Sequence, residues 1–576
     1  MNFCDLAEAL GGYPGLSRAL TWKDVDKYIR FARRLKSEIR LHLSPGLDDP
    51  PYRLPQYLHE FLRDLLGFED LQTMQCWSAL RGIIWQDGPA HLYAEEVDAF
   101  VKRGSQPSRA SEKVWLLRFP VVFYSIQYGA CLAYSSSLSC DGCKMRYYPN
   151  YYIMTNLRFY YGGIPDTIQF EEHGYMEKDL CEVFTNFMLV AWVSAQNGAN
   201  IYNFALAANS LCRPTIWPSG LTFNLSGEQV WRAFFLNALL RDWTERGLVL
   251  VLPDSGDHDS RLKHAMDIRN HLMIEHGQPE KMHACQVCPL RAVVTDGIAI
   301  GHPCCMVHNC TRPLINNRHR FCEQHQDKNL DCVVTDCDAK AEPGHRTCSN
   351  SSHRELEEFR NQRGKAFFQL RDRLKRFNIS QISDSLGGDD SLPELARFGR
   401  RRTHNEQLVV CCCGIIAARS TMFGAEAISG VKDFLKSVYN HNPDDMPDVC
   451  WHDNNCRLQQ HLRKTNDSFF RRVILAVDVF HFKSKHKESD KFCQKHCNPA
   501  LWKVLVDKEG KWVFNSSAAE QANVWLGGYL AIVREMLPHR YNFFLDEMIK
   551  RRNERLVGHL RKSGKTPYHV PSSIDM

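Results

Sequence analysis

Val293-Val294-Thr295-Asp296-Gly297 is an apolar, β-branched run that ends on a carboxylate, and two copies of one cysteine-histidine pattern follow it directly. The first copy reads Cys305-x4-Cys310-x11-Cys322-x2-His325, and the second Cys332-x4-Cys337-x10-Cys348-x4-His353. Each offers four soft or borderline ligands in two close pairs, the donor set of a tetrahedral structural zinc site. One quartet could arise by chance among buried free cysteines; two in tandem argue against it. This order predicts a zinc module inserted into an enzyme, directly after a strand that carries Asp296 at its end.

Bulk properties fit an intracellular protein of several parts. A length of 576 residues suggests roughly three or four domains. Apolar residues at 44% and charged residues at 24% are ordinary globular values, so neither a disordered nor a fibrous chain is expected. The 23 cysteines are odd in number, and many stand beside histidines, which favours metal binding in a reducing compartment over a disulfide framework. Met1-Asn2-Phe3-Cys4-Asp5 lacks the basic start and apolar core of a signal peptide. No run of about 18 apolar residues predicts a membrane span.

The net charge of +6 gains meaning from its location. Arg354 to Arg376 holds eight Lys or Arg against four acids, with Leu356, Phe359, Phe367, Phe368, Leu370 and Leu374 at helical spacing. Arg400-Arg401-Arg402 follows a Gly-Asp-Ser linker at Asp384 to Ser391, and the C-terminal part adds Lys550-Arg551-Arg552, Arg561-Lys562 and Lys565. One such cluster is more often a solvated face. Several beside a zinc module favour phosphate binding.

Along the chain, residues 1 to about 110 read as helical, with a Pro-rich break from Pro45 to Pro55. Strand-like stretches follow (Trp115-Leu-Leu, Pro120-Val-Val-Phe-Tyr), then Cys140-x2-Cys143, a tyrosine cluster from Tyr147 to Tyr161 and an amphipathic helix around Leu180 to Ser194. Cys140 and Cys143 make half a zinc site, with Cys131, Cys181 and His173 as alternative partners. The tyrosines suit a packed core as well as base stacking. From about 226 the pattern alternates between helix and strand: Val230 to Trp243, Leu248 to Leu252, the strand ending at Asp296, Leu408 to Ile416, Ala425 to Tyr439, the short strand before Asp453, Val473 to Asp478, and a long helix from Ser516 to Met536. Such alternation predicts an α/β sheet, parallel or mixed.

Asp296 and Asp453 end strands, and Glu520 opens a late helix. Three carboxylates from separated elements are what two Mg2+ ions need for in-line phosphoryl transfer. Taken singly, an Asp at a strand end is usually a turn or cap residue. A further metal-like set is His481-x4-His486-x6-Cys493-x3-Cys497, interleaved with Lys483, Lys485 and Lys487. Cys411-Cys412-Cys413 reads as strand packing, since successive side chains alternate faces.

Three stretches then resemble a known family. Cys497-Asn498-Pro499, the run Trp512 to Trp525 around Ala519-Glu520-Gln521, and Arg540-Tyr541-Asn542-Phe543-Phe544-Leu545-Asp546-Glu547-Met548 resemble the C-terminal end of Kyakuja-Dileera-Zisupton (KDZ) transposases. The double module and the Cys140-x2-Cys143 region resemble the cysteine clusters found with them. The resemblance covers about 110 to 550. It implies an α/β, RNase H-like DDE core with an inserted zinc-binding cysteine-cluster module, preceded by a mixed α+β cysteine-cluster domain and a helical N-terminal region. The implied division is 1–110 helical, 111–225 cysteine cluster, 226–300 first part of the core, 301–378 inserted double-zinc module, 379–565 remainder of the core and 566–576 tail. Asp296, Asp453 and Glu520 match the three acids, with Asp478 as the alternative second acid. The expected function is DNA transposition, active or domesticated, with structural Zn2+ and two catalytic Mg2+ ions. Transposon-end DNA is the expected partner, self-association one expected state, no membrane is involved and the nucleus is the expected location. The rival readings are a non-catalytic zinc-dependent DNA-binding or chromatin protein that kept the fold, and, more weakly, a ubiquitin-ligase-type scaffold.

Overall fold

The strand expected before the cysteine module forms, and it lies at the centre of a five-stranded sheet. The computed structural model describes residues 3–36, 49–86, 108–111, 114–206, 220–288, 291–363, 396–486 and 489–570, with single positions 39, 96 and 99. The chain divides into two compact units, Met1–Ala265 and Met266–Met576. The basic helix is therefore described only as Ser351–Arg363; positions 364–376, with Arg371 and Arg373, and the Asp384 to Ser391 linker lie outside the described residues.

In the second unit the sheet consists of β1 (Ala292–Ile298), β2 (Asn405–Cys411), β3 (Ile416–Met422), β4 (Val449–Trp451) and β5 (Ile474–Ala476). Its spatial order is β3-β2-β1-β4-β5. β2 runs antiparallel to its neighbours β1 and β3, whereas β4 and β5 run parallel to β1. The register sets Asp296 opposite Leu408 and Val294 beside Trp451. All seven residues of β2 and all three of β4 are buried, as expected where helices cover both faces of a sheet. β1 and β2 pair across the whole cysteine module, whose neck is a short antiparallel pair, Pro303–Cys304 with Arg401–Arg402.

Four helices matter for the site: α1 (Ile428–Val438), α2 (Asn455–Lys464), α3 (Ala518–Gly527) and α4 (Pro538–Lys562). α3 buries Ala518, Ala519, Ala522 and Leu526, and its small residues let it lie close on β1. The expected single helix from Ser516 to Met536 is broken after Gly527, where Gly528 caps the end and a short turn of helix, Leu530–Val533, resumes. The region Leu408 to Ile416 is likewise two strands, because Gly414, at φ +94°, reverses the chain between β2 and β3.

α4 starts with Pro538 in its first turn, where the missing N–H costs nothing, and buries Tyr541, Phe543, Phe544, Leu545, Met548 and Ile549. Its polar residues are also buried. Arg419 of β3 binds Glu406 at 2.6 Å and Asp546 at 2.9 Å, and the Tyr541 hydroxyl donates to Glu406 at 2.9 Å. Glu547 pairs with Arg269 at 3.1 Å and Arg551 at 2.7 Å. The motif Arg540 to Met548 thus holds the sheet through buried charge pairs.

In the first unit, helices Phe3–Gly11, Pro14–Ala19, Trp22–Arg34, Gln56–Leu66 and Asp70–Trp85 enclose a core that includes Tyr28, Phe31, Leu58, Trp77 and Ile84. A Thr21–Asp24 capping box starts Trp22–Arg34. A nine-stranded sheet follows, organised on the antiparallel pair Val114–Ser125 and Gly129–Cys140. Tyr151 and Tyr160 are core residues, while Tyr152 stacks on Phe159. The strand at 248–252 is found at Val251–Pro253, where it pairs with Leu157–Phe159. Residues 226–265, expected in the α/β core, therefore group with the first unit, because this strand completes that sheet's edge. Among the described residues no helix is long and apolar enough to cross a membrane.

Candidate metal and acidic sites

β1 does not end at Asp296 as expected but runs on to Ile298. Because β4 runs parallel to β1, with Val294 beside Trp451, Asp296 near the end of β1 and Asp453 just beyond the end of β4 lie at the same end of the sheet. Glu520 stands in the first turn of α3, which packs on β1. The other two acids are near enough for their charges to act on Asp296: burial pushes its carboxyl up to about 6, and the charges of Asp453 and Glu520 act in the same direction. Asn523, nearly one turn beyond Glu520, donates Nδ2 to Asp296 Oδ2 at 2.8 Å. A Cβ at Gly297 would lie 2.2 Å from Asn405 Nδ2 and 2.9 Å from Gln407 Oε1, so a larger residue after Asp296 would have to displace those side-chain ends. Buried His452 donates Nδ1–H to the Thr295 carbonyl at 3.1 Å and so fastens the end of β4 to β1. Burial lowers its pKa, which keeps the ring neutral.

Asp478, the alternative second acid, is placed differently. It is buried at the start of helix Val479–Ser484, accepting from the Phe480 and His481 amides at 3.0 and 3.1 Å. Its Oδ2 is 2.5 Å from His481 Nδ1, and that same nitrogen is 3.2 Å from Glu520 Oε1. Asp453 acts on Asp296 through its charge, whereas Asp478, His481 and Glu520 each bring a ligand atom within 4.8 Å of the others. A fourth carboxylate, Glu426, was not foreseen: burial, then the charges of Asp453 and Asp296, raise its pKa. It lies in the link between β3 and α1, where no strand end or spacing signals it.

Both quartets of the double module converge, each with its four ligand atoms within 4.8 Å of one another. In the first, Cys310 Sγ and Cys322 Sγ are 3.8 Å apart, with Cys305 Sγ and Cys322 Sγ at 3.5 and 3.4 Å from His325 Nδ1. In the second, Cys337 Sγ and Cys348 Sγ are 3.9 Å apart, with Cys332 Sγ and Cys348 Sγ at 3.6 and 3.3 Å from His353 Nδ1. A tetrahedron with Zn–S bonds of ~2.3 Å has S···S edges of about 3.8 Å, so both sets fit zinc.

The set His481, His486, Cys493 and Cys497 is rearranged. His486 and Cys493 group instead with Cys456 and Asp490. Cys493 Sγ is 3.2 Å and Cys456 Sγ 4.0 Å from His486 Nδ1. His481 turns to the acids, and Cys497 packs beside Cys456 and Cys493 in the same buried cluster. Sequence spacing misses Cys456 because it comes from α2, a separate element. Cys140 and Cys143 sit at a strand end and its turn, within hydrogen-bonding reach of each other. Among the described residues no third ligand joins them: Cys181 is buried in helix Lys178–Ala191, and His173 Nδ1 is 3.0 Å from the Pro120 carbonyl.

Two of the expected phosphate-binding clusters are engaged internally. Arg400 and Arg402 pair with Glu535, and Arg401 donates to the Val307 and Phe423 carbonyls. Lys550 and Arg551 are buried, and Arg552 lies over the Trp525 ring and donates to the Gly414 carbonyl. Arg561, Lys562, Lys565, Lys483 and Lys485 are exposed.

Residues 105–206 match the family described as CxC5 like cysteine cluster associated with KDZ transposases. Residues 294–359 match the CxC6 like cysteine cluster associated with KDZ transposases, a span that begins within β1 and runs through both quartets. No curated protein and no solved structure matches the chain.

Proposed function

We propose that this chain, which carries two KDZ transposase-associated cysteine clusters, is a transposase or transposase-derived protein whose second unit is an RNase H-like DDE core acting on DNA. The strand order β3-β2-β1-β4-β5, antiparallel on one side of β1 and parallel on the other, supports that core. The observation that carries the enzymatic reading is the approach of Asp453 and Glu520, acids from two other elements, to Asp296, whose ionisation their charges oppose. Such crowding disfavours the bare carboxylates and suits divalent cations held by hard oxygen ligands.

Asp296, near the end of β1, and Asp453, just beyond the end of the adjacent parallel strand β4, would hold Mg2+ together with Glu520 from α3. Bound Mg2+ supplies activation of the attacking oxygen and neutralises charge on the leaving oxygen. The remaining residues position the ligands: Asn523 orients Asp296, His481 orients Glu520, and His452 locks β4 beside β1. The cysteine clusters and the exposed lysines are read as DNA-binding surface, and the nucleus as the site of action.

The test is Mg2+-dependent cleavage of DNA made from the sequence that flanks the gene on either side. Asp296→Asn, Asp453→Asn or Glu520→Gln should each abolish it while DNA binding survives, because an amide keeps the shape and loses the charge. A non-catalytic DNA-binding role has one specific observation in its favour, the His481–Glu520 contact that already occupies the third acid. Full DNA binding with no cleavage by the wild-type chain would select that reading.

A further inference from the structure

A group of sulfurs and one imidazole lies at the end of the sheet opposite the acids. It belongs to neither matched cysteine cluster nor to the double module. His283, Cys285 and Cys413 bring one ligand atom each within 4.8 Å of one another. The Cys413 thiol is also within hydrogen-bonding reach of Cys288 and Cys411. Cys411–Cys412–Cys413 is thus not a simple strand segment: Cys411 ends β2, and Cys413 sits in the turn to β3.

The backbone explains the convergence. Cys285-x2-Cys288 closes a tight turn, with the Cys288 amide donating to the Cys285 carbonyl at 2.9 Å. In the facing turn, the Gly414 and Cys411 amides donate to the Cys411 and Ile415 carbonyls at 2.7 Å each. The Cys412 amide donates to the Ala292 carbonyl at 3.2 Å, which sets this turn against the entrance to β1. A Cys-x2-Cys turn opposed by ligands from a second loop is a common arrangement of structural zinc. His283 is 5% exposed, and neither ring nitrogen makes a well-formed hydrogen bond; Glu280 Oε2 stands 3.4 Å from Nδ1. A buried imidazole left so is costly unless a ligand satisfies it. All four cysteines here are free thiols.

We propose that His283, Cys285, Cys288 and Cys413 form a further structural zinc site, which ties the segment leading into β1 to the β2–β3 turn. His283–Ala284 also pairs with Tyr568–His569, so the same ion fixes the C-terminal strand. The site does not depend on catalysis by the acids.

Native mass spectrometry of the zinc-loaded full chain tests it. Cys413→Ser should lose one zinc ion per chain, and Cys412→Ser, altered in the same turn, should lose none. A folded Cys413→Ser chain with the wild-type zinc count overturns the proposal. Should that variant fail to fold, the wild-type chain decides through N-ethylmaleimide labelling read by peptide mapping. Cys285, Cys288 and Cys413 should react at least tenfold faster after chelation, with Cys181 in the other unit unchanged as the folding control. Equal rates with and without zinc overturn the proposal equally.

Discussion

His486 donates Nε2–H to the Asp453 carbonyl at 3.0 Å while its Nδ1 lies 3.2 Å from Cys493 Sγ. One imidazole thus joins the Cys456–His486–Asp490–Cys493 group to the backbone of the second acid. A histidine that ligates through Nδ1 and donates through Nε2 has a fixed tautomer and ring plane. Cys456 begins only three positions after Asp453, in the first turn of α2. A metal in that group would therefore hold both the chain leaving Asp453 and the carbonyl of Asp453 itself.

Loss of that metal should be felt at the acids. Cys493→Ser is expected to remove one zinc ion per chain and to cut Mg2+-dependent cleavage by roughly 10–100-fold, the usual cost of disturbing groups that orient a ligand. Zinc counts and cleavage rates measured on one preparation check this. Unchanged cleavage after a confirmed zinc loss would show that Asp453 is held without it.

A pH effect follows from Asp296, whose carboxyl burial raises from its usual 3.8 to about 6. Between those values the folded chain binds the proton more tightly than the unfolded chain. Its stabilising contribution is therefore complete below the unfolded value and lost as pH rises through about 6. In Mg2+-free, zinc-replete buffer at about pH 8, Asp296→Asn should be more stable than wild type by on the order of 2 kcal/mol, after allowance for partial exposure. The gap should narrow toward about pH 5. Urea denaturation at both pH values reads it, and a gap that widens on acidification would contradict the assignment.

Arg419 is the residue on which the packing of α4 against the sheet should depend most. It is buried with two carboxylates, Glu406 and Asp546, and they hold its pKa above the ordinary value despite burial. Arg419→Met leaves both carboxylates buried without their cation and should cost about 3–5 kcal/mol. Adding Glu406→Gln and Asp546→Asn should recover part of that loss. A single variant with wild-type stability in thermal melts would refute the account.

The legible parts of the sequence were those where chemistry sits close in the chain. The two quartets, the strand that carries Asp296 and the helix with Glu520 in its first turn each lie within one local segment. Cys456, Glu426 and Cys413 were not legible as partners, because each meets its group only through the order of the sheet or a turn between strands. The basic runs misled for a related reason. Lys550-Arg551-Arg552 reads as a surface cluster, yet Glu547, one turn earlier on α4, takes Arg551 into the core. Charge alone does not say which face of a helix carries it. Gly528 likewise has no local signal strong enough to separate a break from a tolerated glycine, and helix resumes only at Leu530–Val533.

Lys483 and Lys485 are the exposed cations nearest in sequence to Asp478 and His481, on the short helix beside Glu520. Unlike Arg400 and Arg402, which pair with Glu535, they belong to the segment that carries His481, so they are the better candidates for DNA phosphate. Lys483→Glu with Lys485→Glu should weaken binding to DNA of any sequence. The slope of log affinity against log salt should fall by about 0.9 for each phosphate that is no longer neutralised, close to 2 for the pair. The acids and the zinc count should be untouched, so the purified variant should keep its full zinc content. Fluorescence anisotropy over a salt series measures both affinity and slope. Weaker binding with an unchanged slope would mean that these lysines act through the fold and not on phosphate.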